Sequence, residues 1–486
     1  METKQKSRLA ILLAALLASS ALASCGDSGT PAVTTSAPDN TKTDTTTEAE
    51  TGPVYKKPDK DFSGQNLNIL IWTDSRFPVE EETGDVINDA VFERNLTVQD
   101  TLGVTFTYDI RPGLVSDYPE WLNVLNASIL AGDDSYQLAG GYGYRLAKDS
   151  LGGNFHNLKT NPYIDFTNPW WPSNIIEAAD LGGQMTLCFG NIDPTYYDVT
   201  YAMYFNKKLA EDLNTGDIYG LVNDGKWTLD KMAELSETAA ADLNGDTVMD
   251  KNDRFGIASD MWMCVDGYIQ SCDIKITERD SDGMPKLLGL TERYADAQVK
   301  IRALLNNKNI AFFGSSPDAK ELFQNSQSLF LANNIEAAHI LRSMKDDFGI
   351  IPYPKFNEAQ EKYITYNAIG DSTAFVIPIT ADEELSGAVL EALAYYGWKN
   401  LLPAYYDRAL KGKAARDTDS EALLDMIFTN IEFDFTQIYS YNFGDEKSPS
   451  MAMRKSVNTN SDISSLWASM EKLYADTMDS LVDELK

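Results

Sequence analysis

The residues best spaced to do chemistry are Asp242, Asn244, Asp246, Asp250 and Asp253, at positions 1, 3, 5, 9 and 12 of the twelve-residue run DLNGDTVMDKND. The Val248 carbonyl would serve position 7. An all-oxygen donor set suits a hard cation, and Ca2+ takes six to eight oxygens at about 2.3–2.6 Å. The expectation is one structural Ca2+. Two positions depart from the usual calcium loop. Thr247 stands where glycine makes the sharp turn, and Asp253 stands where a longer Glu gives a bidentate cap. With 73 Asp and Glu in the chain, a solvated acidic loop would have the same composition. Other catalytic material is sparse. The two histidines are His156 and His339, and neither a nucleophile triad nor a glycine-rich phosphate loop is evident. Besides Cys25 there are Cys188, Cys264 and Cys272, whose spacing matches no zinc pattern. Cys264 and Cys272 could pair in an oxidising compartment, with buried free thiols as the default.

Aromatic residues are plentiful, with 24 Tyr and 8 Trp. Flat apolar faces joined to a few fixed polar groups are what a small-molecule ligand site needs. The candidates sit at strand ends: Trp72 and Asp74; Tyr142 and Tyr144; Asp193, Tyr196 and Tyr197; Trp262; and Asp371. Each alone reads equally well as packing or as surface. Trp170-Trp171, between Pro169 and Pro172, reads as packing. So do the pairs Tyr395-Tyr396 and Tyr405-Tyr406, while Trp398 could reach a cleft. A glycoside hydrolase would need two opposed carboxylates, and so acidic a chain can always nominate a pair.

These residues need elements to hold them. Leu67–Trp72 is a continuous apolar run and reads as a buried strand. Asp85–Leu102 has helical spacing in Ile87, Val91, Val98 and Leu102, with Gly103 to end it. Val104–Ile110 alternates as a strand does. Helices are also expected after Thr228, over Ala381–Tyr396, and over a last stripe from Leu466 through Leu473 and Met478 to Leu485. Strands and helices alternate throughout, which predicts α/β architecture. The mature length is too great for one ordinary core and predicts two lobes. These are residues 56–198 with 374–420, and 199–373 with 421–486.

Residues 1–24 read as a signal peptide: Lys4, Lys6 and Arg8, then an apolar stretch too short to span a bilayer. Leu22-Ala23-Ser24-Cys25 resembles a bacterial lipobox, in which Cys25 is acylated. Residues 25–55 are rich in Thr, Ser, Ala, Asp and Pro, and read as a flexible linker. The formal charge of −32 argues against nucleic acid or an anionic bilayer surface as a partner.

Several segments resemble the family 1 extracellular solute-binding proteins of carbohydrate importers. Tyr201–Leu213 resembles the family's aromatic strand running into a helix, with Phe205-Asn206-Lys207 where Tyr-Asn-Lys is usual. Lys226–Asp230 resembles its Trp-Thr helix start. Phe348–Pro354 resembles a short strand ending in a proline turn, and Gly370–Pro378 the return strand. Tyr405–Asp417 resembles a segment of larger clostridial-type members. The resemblance implies a two-lobed periplasmic-binding-protein-like fold with a cleft between the lobes, and binding without chemistry. It implies a carbohydrate ligand, an oligosaccharide in first place, and delivery to ABC permease subunits. It further implies a monomer, lipid-anchored on the outer face of a Gram-positive cytoplasmic membrane. A secreted glycoside hydrolase or a surface sensor or adhesin remains the alternative at this point.

Overall fold

In the computed structural model, residues 53–444 and 447–484 are described. Signal peptide, lipobox and nearly all of the linker lie outside them. Tyr55, at the linker's end, stacks on Tyr395 with ring centroids 5.5 Å apart.

Two separate sheets carry the fold. The first has β1 (Asn66–Trp72) at its centre, parallel to β2 (Thr105–Arg111) and to β3 (Leu138–Tyr142). Position explains composition. β1 is covered on both faces and so reads as an unbroken apolar run, whereas β2 is an edge strand and leaves Ile110 half exposed. In β3 two glycines stand where side chains would not fit; a Cβ on Gly141 would lie 2.8 Å from the Trp121 ring. The second sheet is mixed. β4 (Tyr201–Asn206) runs antiparallel to both of its neighbours, β9 (Ser328–Asn334) and β10 (Phe348–Ile351). β5 (Phe255–Asp260) is parallel to β8 (Ala311–Gly314) and to β9. A small hairpin of β6 (Thr277–Arg279) and β7 (Pro285–Leu287) stands apart. β11 (Thr373–Val376) returns to the first sheet, antiparallel to β3. Helices pack on both sheets, so the expected two-lobed α/β architecture is what the chain adopts.

The local signals work as polar chemistry requires. The helix Val86–Leu102 opens with Asp85 accepting from the amides of Ile87 and Asn88, and closes on Gly103 at φ +73°. Thr228 caps Leu229–Ala239 by accepting from the Lys231 amide. The helix expected from Ala381 begins at Glu383, because Asp382 takes the cap. Past it the chain winds as π-helix over Gly397–Leu401 and Ala404–Ala414.

Two extended segments cross side by side between the lobes. The Tyr201 amide donates to the Tyr366 carbonyl and the Ala368 amide to the Val199 carbonyl, both at 2.9 Å. Asn367 pins the crossing, its Nδ2 donating to the Tyr196 carbonyl at 2.8 Å and to Thr200 Oγ1 at 3.0 Å. A third passage follows Ala414, where helix Thr418–Thr429 settles on β10. The final helices, Pro449–Asn458 and Ile463–Glu484, stay with the second lobe.

Cys188, Cys264 and Cys272 are buried free thiols. A Cys264–Cys272 disulfide does not form, because helix Met263–Ser271 separates the two by about 12 Å of rise, beyond disulfide reach.

Candidate functional site

Where the ends of β1 and β3 meet the second lobe, four aromatic rings run in series. Trp72 ends β1 and donates through Nε1 to Thr373 Oγ1 at 3.0 Å. Tyr142 ends β3, its ring 5.4 Å from Trp72. Tyr144, in the first turn of helix Gly143–Asp149, lies 5.9 Å from Tyr142 and 5.8 Å from Tyr441 of the second lobe. Polar groups are set along this run. The Tyr142 hydroxyl donates to Asp371 Oδ1 at 3.0 Å. Arg454, from helix Pro449–Asn458, grips Asp266 through both Nε, at 2.9 Å, and Nη2. The Tyr366 hydroxyl donates to Asp266 Oδ2 at 3.3 Å. The Met263 sulfur touches Tyr366, Arg454 and Tyr144, joining one lobe to the other.

The electrostatics follow from burial. Desolvation pushes the Asp371 carboxyl up to about 6, against the pull of Tyr142 and Arg454. Burial likewise raises the phenols of Tyr142 and Tyr144, and the charge of Asp371 adds to both. Burial raises Asp266 as well, while the bidentate Arg454 pulls it back, so the two remain an ion pair. The lobes meet closely here. The void among Tyr144, Asp266, Tyr366 and Met451 is about 10 Å3, room for about one water.

Of the residues singled out from sequence, Trp72, Tyr142, Tyr144 and Asp371 thus come together. Asp74 is exposed beyond the end of β1. Trp262, at the end of β5, is 55% exposed, the most open tryptophan among the described residues with a stacking face to offer. Asp193, Tyr196 and Tyr197 serve the crossing. Asp193 accepts from Ser75 Oγ at 2.5 Å and from the Thr195 amide at 2.9 Å. Tyr197 packs on Tyr405 and donates to Asn191 Oδ1 at 2.7 Å, and the buried Tyr196 lies against it. Trp170 and Trp171 pack, as their prolines suggested, and both indole N–H groups donate to Glu391.

Sequence reasoning missed Tyr366, Tyr441, Met263, Asp266 and Arg454. A signal existed for one of them. Asp266 is a lone charge in the apolar run MCVDGYI, and a charge so placed is buried and paired.

In the acidic loop, the Asp242 carboxylate accepts from the amides of Gly245 and Thr247. Asn244, Asp246 and Asp250 each accept from an amide two residues on. Asp253, fully buried, accepts from Leu243 and Asp250, and these amides hold its carboxyl below the usual range. Thr247 adopts φ +67°, the left-handed turn that glycine usually makes at that position. The Val248 side chain is exposed. The donor set is all oxygen and suits Ca2+, and each carboxylate oxygen keeps a lone pair beside its amide bond. Among the described residues, no three His, Cys, Asp or Glu side chains already stand together as a metal-binding group. An ion would therefore have to draw the loop inward.

No protein-family model matches this chain, and no curated protein matches it in sequence. Solved structures match in shape. A cyclic α-maltosyl-1,6-maltose binding protein from Arthrobacter globiformis is 12% identical at a TM-score of 0.55, over 85% of this chain and 99% of its own. RafE from Streptococcus pneumoniae, in its apo form, is 14% identical at 0.53, over 87% and 100%. The maltose/maltodextrin-binding domain MalE from Bdellovibrio bacteriovorus, bound to maltotriose, is 13% identical at 0.51, over 86% and 99%. At such identities the likeness is one of fold: the two-lobed periplasmic-binding-protein-like fold that the sequence resemblance implied.

Proposed function

We propose that the chain is the solute-binding component of an ABC importer and closes its two lobes on a carbohydrate, an oligosaccharide in first place. The observation that carries this reading is the run Trp72–Tyr142–Tyr144–Tyr441, lined by Asp371, Tyr366 and the Asp266–Arg454 pair and built from both lobes. Aromatic faces take the C–H surfaces of a sugar, and the polar groups take its hydroxyls. The saccharide-binding proteins of like fold support the ligand class. A site assembled from two lobes couples binding to closure, which gives a permease a loaded shape to recognise.

Binding is favoured over hydrolysis by the carboxylates at this site. Asp266 is held in an ion pair with Arg454, so it is not free to act as a second carboxylate beside Asp371. The direct test is a thermal-shift screen against mono- and oligosaccharides with analysis of the recovered sugar. A ligand at 100 times its Kd adds about 2.7 kcal/mol of apparent stability. A saccharide that shifts the melt and returns intact supports the reading; one that is consumed makes the chain an enzyme.

Two accessory features belong to the same proposal. Acylation of Cys25 would hold the chain at the outer face of the membrane; among the described residues, no helix is long and apolar enough to cross one. Mass spectrometry of the mature N-terminus tests it, and cleavage elsewhere refutes it. The second is a structural Ca2+ in the loop Asp242–Asp253, supported by the oxygen-only donor set and the left-handed turn at Thr247.

A further inference from the structure

The small hairpin of β6 and β7 belongs to neither of the two larger sheets, yet it reaches from the second lobe into the first. Its first strand carries Arg279. One guanidinium nitrogen, Nη1, donates to the carbonyls of Asp180 and Gly283, and the other, Nη2, to those of Glu177 and, at 3.2 Å, Ala178. The Tyr439 hydroxyl donates to the Ala179 carbonyl at 2.8 Å. Glu177, Ala178, Ala179 and Asp180 close the helix Ser173–Ala179. A helix leaves its last carbonyls without partners of its own, and here four in a row are met by side chains of the other lobe. A cation so placed also faces the negative end of the helix. At the hairpin's tip, Met284 lies so close to the Gly182 turn that a Cβ on Gly182 would be 2.6 Å from its sulfur.

Each side of this contact is fixed to its own lobe. The helix Ser173–Ala179 is tied to the first lobe at both ends: Trp170 and Trp171 donate to Glu391 before it, and the Cys188 amide donates to the Phe375 carbonyl of β11 after it. The hairpin is tied to the second lobe by Asp434, whose Oδ2 accepts from the amide and the hydroxyl of Thr277, both at 3.0 Å. Tyr439 packs on Phe435 of the same lobe. Parting the lobes here strips four hydrogen bonds from the helix end, three of them charge-assisted. We propose that the hairpin and Tyr439 form a clasp between the lobes, and that Arg279 and Tyr439 are positioning residues that set how often the ligand-free chain opens. The inference rests on the two-lobed reading and not on the class of ligand.

Small-angle X-ray scattering of the ligand-free full chain tests the clasp, together with hydrogen exchange at the crossing amides of Tyr201 and Ala368. Wild type should scatter as the closed form. Arg279→Gln should lower the ratio of closed to open molecules about tenfold or more, Tyr439→Phe less, and the double variant most. Each should enlarge the radius of gyration while the crossing amides stay as protected as in wild type. Arg279→Lys, which keeps the charge, should recover part of the compaction. Tyr439→Phe removes only a hydroxyl and keeps the ring packed, so the test survives an arginine variant that fails to fold. If the variants scatter as wild type does, whatever their melting temperatures, the contact is packing alone and the proposal falls. It falls too if wild type itself scatters as an open form, or if the crossing amides lose protection with the clasp. The importer reading fails separately, through ligand binding, which these measurements do not use.

Discussion

Asp371 is where stability and function should part. Its carboxyl is buried against Tyr142 and titrates near 6, above its unfolded value of about 3.8. Between those values the folded chain holds more protons than the unfolded one, so stability falls as pH rises through that window. A rise of about two pH units corresponds to roughly 3 kcal/mol. Asp198 behaves alike. Burial lifts it to about 6, although Arg76 opposes the shift and Tyr405 donates to it. Asp371→Asn should therefore raise the melting temperature at about pH 8, change little at about pH 4, and weaken ligand binding. Thermal melts across that range check it; a variant less stable than wild type at about pH 8 contradicts the assignment. At this scale the sequence was half legible. Trp72, Tyr142, Tyr144 and Asp371 stand at strand ends or in a return loop, where chain direction alone suggests a cleft. Asp266 and Arg454 lie 188 residues apart, and only the packing of two helices brings them into contact. The same limit hid the surroundings of Asp193, Tyr196 and Tyr197: they also end an element, and Ser75, Asn191, Asn367 and Tyr405 hold them beside the crossing.

The elements themselves were more readable, because their signals are local. The apolar run of β1, the Asp85 and Thr228 caps and the left-handed Gly103 each act within a few residues. The π-helical stretch after Tyr396 had no such signal. Its neighbours, helix Val86–Leu102 and the short helix Ala337–Leu341, are distant in sequence. Glu391 shows how one residue can fasten elements together. On helix Glu383–Tyr396, it accepts from both indoles of Trp170 and Trp171, from Asn168 Nδ2 at 3.0 Å and from the Asp165 amide at 3.3 Å. Glu391→Leu strands these donors, two of them fully buried indoles, and should cost about 3 kcal/mol or more. Urea denaturation would measure it, and a cost below about 1 kcal/mol would mean that water replaces the carboxylate. The acidic loop makes an independent prediction. Chelation should lower the melting temperature, and Asp242→Ala with Asp246→Ala should abolish that sensitivity. Identical melts with and without chelator would remove Ca2+ from the account.

For the whole molecule, two sheets joined by paired crossing segments place a two-sided site at the junction, and what fills it decides the function. The close fit among Tyr144, Asp266 and Tyr366 requires the lobes to part before an oligosaccharide can enter. Binding should then bury apolar ring faces and give a negative heat-capacity change. The most direct measurement is calorimetric titration of a broad glycan panel at several temperatures, with the sugar recovered and identified afterwards. The account predicts a saccharide that binds with negative ΔCp, loses affinity in Tyr142→Phe and Asp371→Asn, and is recovered unchanged. Binding of amino acids or peptides while every saccharide fails, or recovery of a cleaved sugar, would contradict it.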